Sequence, residues 1–211
     1  MVTIKEIAKY CGVSIATVSN IINGKPNASE ATKQKVLKAI DELNYTPNYV
    51  AKNLRTQKTK TIGVVVEDIT VFCAPEIIDG ITQCSEERGY NILFTNLRLY
   101  QKLGDTYYDD KNLPDIVKNQ TKDFIAKQVD GIVYVATHER ALKCFKDGAS
   151  VPAAMAYGLT DSKEHSSVIV DDMDGAYKLI NYVIAMGHKR IGVIMGKDSS
   201  IHTNDRLEGY K

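Results

Sequence analysis

Apolar residues in the first sixty positions recur at helical spacing. Ile4, Ile7, Ala8 and Cys11 share one face of a helix that Thr3 caps, with Glu6 three residues on to reach back to the cap amide. Gly12 stands where the chain must reverse, since a left-handed backbone costs glycine little, and Ser14 supplies the next N-cap. Val18, Ile21 and Ile22 then form a second stripe, which turns Ile15, Ala16, Thr17, Ser19 and Asn20 the other way. Asn23-Gly24 closes this helix, Pro26-Asn27 makes a loop, Ser29 caps a third helix, and Val36, Leu37, Ile40 and Leu43 give it a buried stripe. Three such helices can share a small core. Thr46-Pro47 then opens a short helical segment with Val50 and Leu54 at i, i+4. A helix under about a dozen residues is marginal alone in water, so this one is expected to need a surface or a second copy to form.

Beyond Lys60 the pattern changes to short apolar runs separated by amphipathic segments. T-I-G-V-V-V at Thr61–Val66, N-I-L-F-T at 91–95, G-I-V-Y-V at Gly131–Val135 and P-A-A-M-A at 152–156 read as buried strands. Residues 75–88 and 114–128 read as helices between them. Alternation of this kind predicts a parallel sheet with right-handed crossovers. S-V-I-V at 167–170, a helix around 175–186 and R-I-G-V-I-M at 190–195 are expected to begin a second round. In such sheets ligands bind beyond the carboxyl ends of the strands, which selects Asp68 to Phe72, Asn96, Thr137, Tyr157, Asp171 and the stretch from Ser200 to Arg206. Residues 97–114 make a long connection, and long loops are functional or disordered. Its tyrosines and aspartates suit a ligand cover, although a solvated surface loop accounts for them as well.

Charge sharpens the division. Met1 to Lys60 holds ten Lys and Arg against four Asp and Glu, leaving seventeen against twenty-two in the rest, although the whole chain is nearly neutral at +1. The basic end is the helical end, as a phosphate-binding module requires, with Lys5, Lys25, Lys33, Lys52 and Arg55 as candidate backbone contacts. Each lysine alone is equally an ordinary solvated charge; only the cluster carries weight. Composition is that of a globular chain, 44% hydrophobic and 25% charged. No apolar run approaches the roughly 18 residues of a membrane span, and the N-terminus opens on capping chemistry instead of a signal peptide, so a cytoplasmic protein without a membrane partner is expected. Cys11, Cys73, Cys84 and Cys144 form no C-x-x-C pair, which favours reduced, buried thiols over a disulfide framework or zinc site. There is no phosphate loop, and His138, His165, His188 and His202 show no ligand spacing, so neither an enzyme nor a cofactor or metal is expected.

The first two helices and their glycine turn suit a DNA-reading helix-turn-helix, with the five outward residues of the second helix in the major groove. Periodicity alone does not separate this from an ordinary helical hairpin. Three longer motifs do: A-x-x-x-G-V-S-x-x-T-V-S at Ala8 to Ser19, Y-x-P-N-x-x-A-x-x-L at Tyr45 to Leu54, and K-T-x-T-I-G at Lys58 to Gly63. With them the chain resembles, nearly position by position over Thr3 to Arg55, the headpiece and hinge of the lactose-repressor (LacI/GalR) family of bacterial transcription regulators.

That resemblance implies an all-α headpiece (1–45), a hinge helix and linker (46–60), and an α/β two-lobed domain like the periplasmic binding proteins, with lobes at 61–160 and 161–211. It implies that the second lobe, stopping at Lys211, is incomplete, with an exposed strand edge and a tendency to aggregate. The implied partners are an operator in double-stranded DNA, a second copy of the chain and a small-molecule effector of sugar type. The implied DNA contacts are Thr3, Ser14, Ile15, Ala16, Thr17, Ser19, Asn20, Asn23, Asn48, Tyr49, Ala51, Lys52, Leu54 and Arg55, with Leu54 wedging into the minor groove. The implied effector contacts are Phe72, Thr137, Tyr157, His202 and Arg206, the last in R-L-E-G-Y, which matches the family's R-L-x-G-[YFW] element. A plain salt bridge is the alternative for Arg206. Tyr157 stands where many relatives carry an aspartate, and the loop after the first strand lacks the usual aromatics, so a standard sugar is in question. Repression is the family default; an activator, or a solute receptor without DNA regulation, is the other reading.

Overall fold

The computed structural model describes residues 2–46, 58–71, 73–104, 107, 113–142, 145, 151–160, 162–198 and 200–211. Asn48, Tyr49, Ala51, Lys52, Leu54 and Arg55 of the expected hinge lie outside the described residues, as do Phe72 and Cys144. The chain forms two compact units, Met1–Gln57 and Lys58–Lys211.

In the first unit, α1 (Ile4–Cys11), α2 (Ile15–Ile22) and α3 (Glu30–Glu42) each begin with a hydroxyl cap. The side chains of Thr3, Ser14 and Ser29 accept from the backbone N–H of Glu6, Thr17 and Thr32, and Glu6 returns a bond to the Thr3 amide at 2.7 Å. Such caps each contribute about 1 kcal/mol, which matters for eight-residue helices. Gly12 closes α1 at φ 64°, the left-handed region. Ile7, Ala8, Cys11, Val18, Ile21, Val36 and Ala39 form the buried centre, and Ile4, Ile22, Ile40 and Leu43 pack around it. Leu37 is corrected: it is 39% exposed, and Ala39 takes the buried place, because the inward face of α3 runs Val36, Ala39, Ile40, Leu43 at spacings of three and four.

The second unit is built on a parallel sheet. Strands β1 (Thr61–Val66), β2 (Asn91–Asn96), β3 (Gly131–Val135), β5 (Ala153–Ala156) and β7 (Ser166–Val168) lie in the order β2-β1-β3-β5-β7, and the short β4 (Ala141–Leu142) and β6 (Leu159–Thr160) pair separately. Alternate β1 side chains go to opposite faces. Val64 and Val66 pack with Val135, Ala74 and the isoleucines of α4 (Ala74–Glu87), whereas Val65 joins Tyr134, Met155 and the inner face of α6 (Leu113–Ala126).

Three expectations change. Residues 167–170 were expected to open a second round, but the strand that forms there, β7, pairs with β5 as the outer strand of the first sheet. The run at 190–195 forms no strand, and Ile194 is fully exposed, because among the described residues no neighbouring strand supplies the ladder that a strand requires. The described part of the connection after β2 is not all solvated: it includes α5 (Leu99–Leu103), and Leu97, Leu99, Tyr107 and Leu113 are buried in the sheet's core, while Asp105, Tyr108, Asp109 and Asp110 lie outside the described residues. Helices α7 (Asp172–Ala185) and α8 (Ile201–Tyr210) follow. Of the cysteines, Cys11, Cys73 and Cys84 are free thiols, but Cys84 is exposed, not buried. No described helix is long and apolar enough to cross a membrane.

Gly63 sets the spacing between β1 and α6. A Cβ there would lie 2.7 Å from Cε2 of the Phe124 ring, which is fully buried. Gly63→Ala is therefore expected to destabilise the second unit by about 1–3 kcal/mol while leaving the headpiece transition in place. An unchanged denaturation midpoint for the second unit would contradict this packing.

Candidate functional site

Two surfaces carry the chemistry, one in each unit. In the first, the core-facing stripe of α2 leaves its opposite side open: Ser14, Ile15 and Ala16 are exposed, and Thr17, Ser19 and Asn20 are half-buried. Several candidate hydroxyls and amides are already engaged. Ser14 and Thr17 hydroxyls bond each other at 2.9 Å, and the Asn23 amide donates to the Ser19 carbonyl at 2.6 Å. The Thr3 hydroxyl donates to Glu6 at 2.9 Å. These bonds fix the ends of α1 and α2. Ile15, Ala16 and Asn20 remain as the outward surface, the pattern of a helix that presents a mixed apolar and amide face to a partner.

In the second unit, β1 and β3 are neighbours although β2 follows β1 in the chain, so the strand order reverses there. Ligands in open parallel sheets bind at such a reversal, beyond the carboxyl ends. Glu67 follows β1 at this point and is fully buried. Its carboxylate accepts from the Tyr134 hydroxyl at 2.6 Å, the Thr137 amide at 3.0 Å, the Thr137 hydroxyl at 2.8 Å and both terminal nitrogens of Arg140 at 2.7 and 3.2 Å. The Tyr107 hydroxyl bonds Thr137 from the inserted segment, and its ring packs against Tyr100 and His138. Burial pushes the Tyr107 hydroxyl up to about 12, and burial with the nearby Arg140 charge lowers the His138 pKa. Thr137, a candidate contact, is thus committed to holding Glu67.

Beside this network, Glu139, Asp172 and His202 converge from three separate elements: the segment between β3 and β4, the first turn of α7 and the first turn of α8. His202 Nδ1 bonds Asp172 Oδ2 closely and stands 3.7 Å from Glu139 Oε2. Arg206, one turn along α8, gives its Nε to Asp172 Oδ1 at 2.6 Å, with its side chain still 60% exposed. Tyr157, held at φ 58° just after β5, stacks on His202 at 5.2 Å between ring centroids. Gly209 of R-L-E-G-Y makes the α7–α8 approach possible, since a Cβ there would stand 2.9 Å from Ala176 Cβ and against the Met173 carbonyl. Burial raises the pKa of Asp172, but bonds from His202 and Arg206 outweigh it and hold the carboxyl below its ordinary value. Glu139 goes the other way: burial, with the Asp172 and Asp205 charges, raises it despite His202.

The structure therefore brings Tyr157, His202 and Arg206 together and sets Thr137 in the adjoining network. Reading from strand ends reached Asp68 and Asp171, each one residue short of or past the buried Glu67 and Asp172. Asp68 itself is a turn-former, bonding Thr70 and the Tyr100 amide. Glu139, Arg140 and Tyr107 have no motif spacing; an acid following a run of valines was the one signal available, at Glu67.

Residues 3–48 match the family described as bacterial regulatory proteins, lacI family, and residues 59–211 match the periplasmic binding proteins and sugar binding domain of that family. The chain is 33% identical to catabolite control protein A of Priestia megaterium and 31% identical to the HTH-type transcriptional repressor PurR of Vibrio atlanticus (strain LGP32). Each similarity covers 100% of this chain and 60% of the relative, so the chain spans about three fifths of the length of these relatives. In fold it is similar to the lac repressor dimer solved with operator and the anti-inducer ONPF, at a TM-score of 0.69 and 24% identity over 99% of this chain and 60% of that one.

The raised Glu139 pKa has a pH signature. A carboxyl whose folded pKa exceeds its unfolded value near 4.5 costs nothing while protonated and destabilises as pH rises through the folded value. In chelator, Glu139→Gln is therefore expected to match the parent chain's stability below about pH 4 and to exceed it progressively at higher pH. Equal stability of the two chains at neutral pH would remove Glu139 from this account.

Proposed function

The chain belongs to the LacI family of bacterial regulatory proteins, and from that premise we propose that it is a sequence-specific DNA-binding transcription regulator. It acts in the cytoplasm, represses, and binds a near-palindromic operator as a homodimer whose affinity a small molecule adjusts. The observation that carries this reading is α2: a short helix capped at Ser14, fixed by Val18 and Ile21 in a three-helix core, with Ile15, Ala16 and Asn20 facing outward. A recognition helix needs its orientation set before it meets DNA, because freedom left in the free protein is lost on binding.

Asn20 is the side chain suited to bidentate bonding with adenine N6 and N7, and Ile15 and Ala16 suit thymine methyl groups. Thr17 and Ser19 stand beside them; Thr3, Ser14 and Asn23 set the helix ends and supply phosphate-side contacts through the polar groups there. Asn48, Tyr49, Ala51, Lys52, Leu54 and Arg55 belong to the proposal through the family's hinge motif. Leu54 from each copy would open a central step, its unstacking cost offset by contacts that bending permits. Lys5, Lys25 and Lys33 add the salt-dependent phosphate term.

The effector is a polar small molecule of sugar type taken at Tyr157, His202 and Arg206, with Thr137 acting through Glu67. Arg206 exchanges its bond to Asp172 for one to the ligand, and the change reaches the dimer only if the two states differ in effector affinity.

The test is selection of the chain against random double-stranded DNA at fixed salt. A palindromic consensus is expected, and Asn20→Ala is expected to weaken binding by about 1–3 kcal/mol and relax the preference at one position in each half-site. Selection that returns no consensus, or an Asn20→Ala chain with an unaltered one, would overturn this reading of α2.

A further inference from the structure

Among the described residues, Glu139 Oε2 is a buried oxygen with no hydrogen-bond partner, on a side chain only 1% exposed. Buried polar atoms are nearly always satisfied, and leaving one unmade costs about 1–3 kcal/mol. Its neighbours do not relieve it. The nearest nitrogen, His202 Nδ1 at 3.7 Å, is turned to Asp172, whose other oxygen is held by Arg206. The opposite ring nitrogen, His202 Nε2, is also buried without a partner. Two carboxylates thus face one imidazole, on whose ring Tyr157 stacks.

From this geometry we propose that Glu139, Asp172 and His202 form a binding site for a divalent transition-metal ion of the zinc class. Glu139 Oε2, Asp172 Oδ2 and His202 Nδ1 supply one ligand atom each, and all three lie within 4.8 Å of one another. Around zinc, with bonds of about 2.0–2.2 Å, tetrahedral ligand atoms stand about 3.4 Å apart. To reach that spacing the His202–Asp172 contact must open by about 1 Å and Glu139 must move inward. One nitrogen and two carboxylate oxygens are a borderline donor set, suited to Zn2+ and its first-row neighbours more than to Mg2+ or Ca2+, which take oxygen ligands.

Each part of the surroundings has a role in such a site. Arg206 on Asp172 Oδ1 orients that carboxylate and leaves Oδ2 to the ion, the position of an outer partner that fixes a ligand. The ion's charge would offset two carboxylates that stand buried side by side. Loading requires the neutral imidazole with its proton on Nε2 and its Nδ1 lone pair on the ion. Three protein ligands leave a fourth position open to water or to a polar group of a small molecule. Because the site is read by metal uptake, it stands or falls apart from DNA recognition.

The experiment titrates Zn2+ calorimetrically into the 211-residue chain carrying Cys84→Ser, which removes the exposed thiol, and follows Co2+ by its visible absorption. One ion per chain with a thermal stabilisation is expected. Glu139→Gln and His202→Gln are each expected to weaken uptake at least about tenfold. Circular dichroism confirms that each variant is folded, and Glu139→Gln, which removes only a charge, keeps the test valid if His202→Gln disturbs α8. Absence of stoichiometric uptake, or uptake unchanged in both variants, overturns the proposal; retained operator selection in either case leaves the reading of α2 intact.

Discussion

The second unit depends on the burial of one charge. Glu67 lies where the strand order reverses, and an unpaired carboxylate there would cost several kcal/mol. Its side chain is satisfied only when β1, β3 and the segment 137–140 stand in one arrangement, because Tyr134, Thr137 and Arg140 all bond it. Its backbone adds to this: the Glu67 amide donates to Val135 and its carbonyl accepts from Leu99. The inserted segment is therefore tied to the same point as the sheet. Replacing a whole buried ion pair with apolar groups often costs little stability, but removing Glu67 alone would leave Arg140 uncompensated, so the pair holds the segment that carries His138 and Glu139 in one arrangement.

The first unit is held by different physics. Its caps are local, each hydroxyl three residues from the amide it satisfies, while a small core of seven buried side chains and the Tyr10–Glu42 bond join α1, α2 and α3. A fold made of local contacts forms quickly and gives each helix a definite start. That suits a surface whose value lies in where a few side chains point. The second unit joins groups about 30 to 70 residues apart, as Glu67 with Arg140 and Asp172 with His202 show.

The same contrast explains what could be read from the sequence. Thr3 with Glu6, Gly12, Ser14 and Ser29 are local signals, and the helices they start and stop are where they were expected. Strands β1, β2, β3 and β5 were legible as apolar runs because both faces of a parallel sheet are covered. Which sheet β7 joins, and whether 190–195 becomes a strand at all, depends on neighbours that no window of sequence contains. Tyr107 looked like a loop tyrosine because burial by a distant Thr137 leaves no periodic trace. The Glu139, Asp172 and His202 cluster was invisible for the same reason, although His202 and Arg206 at i, i+4 placed an imidazole and a guanidinium on one side of α8.

That spacing on α8 also decides how the second site can respond. His202 and Arg206 both hold Asp172, and Gly209 lets α8 come close enough for them to do so. The site is therefore occupied by its own residues before any ligand arrives. A ligand that takes a bond from Arg206 or His202 removes one from Asp172, so only the difference between the two is available to shift the helix. Tight binding alone does nothing here; a ligand that served Asp172 and the arriving groups equally well would leave the equilibrium where it was. Coupling needs a ligand whose own charge or donors replace the carboxylate for Arg206 while leaving Asp172 to His202. The physical requirement on an effector is thus a matter of which partner of the buried Asp172 it displaces.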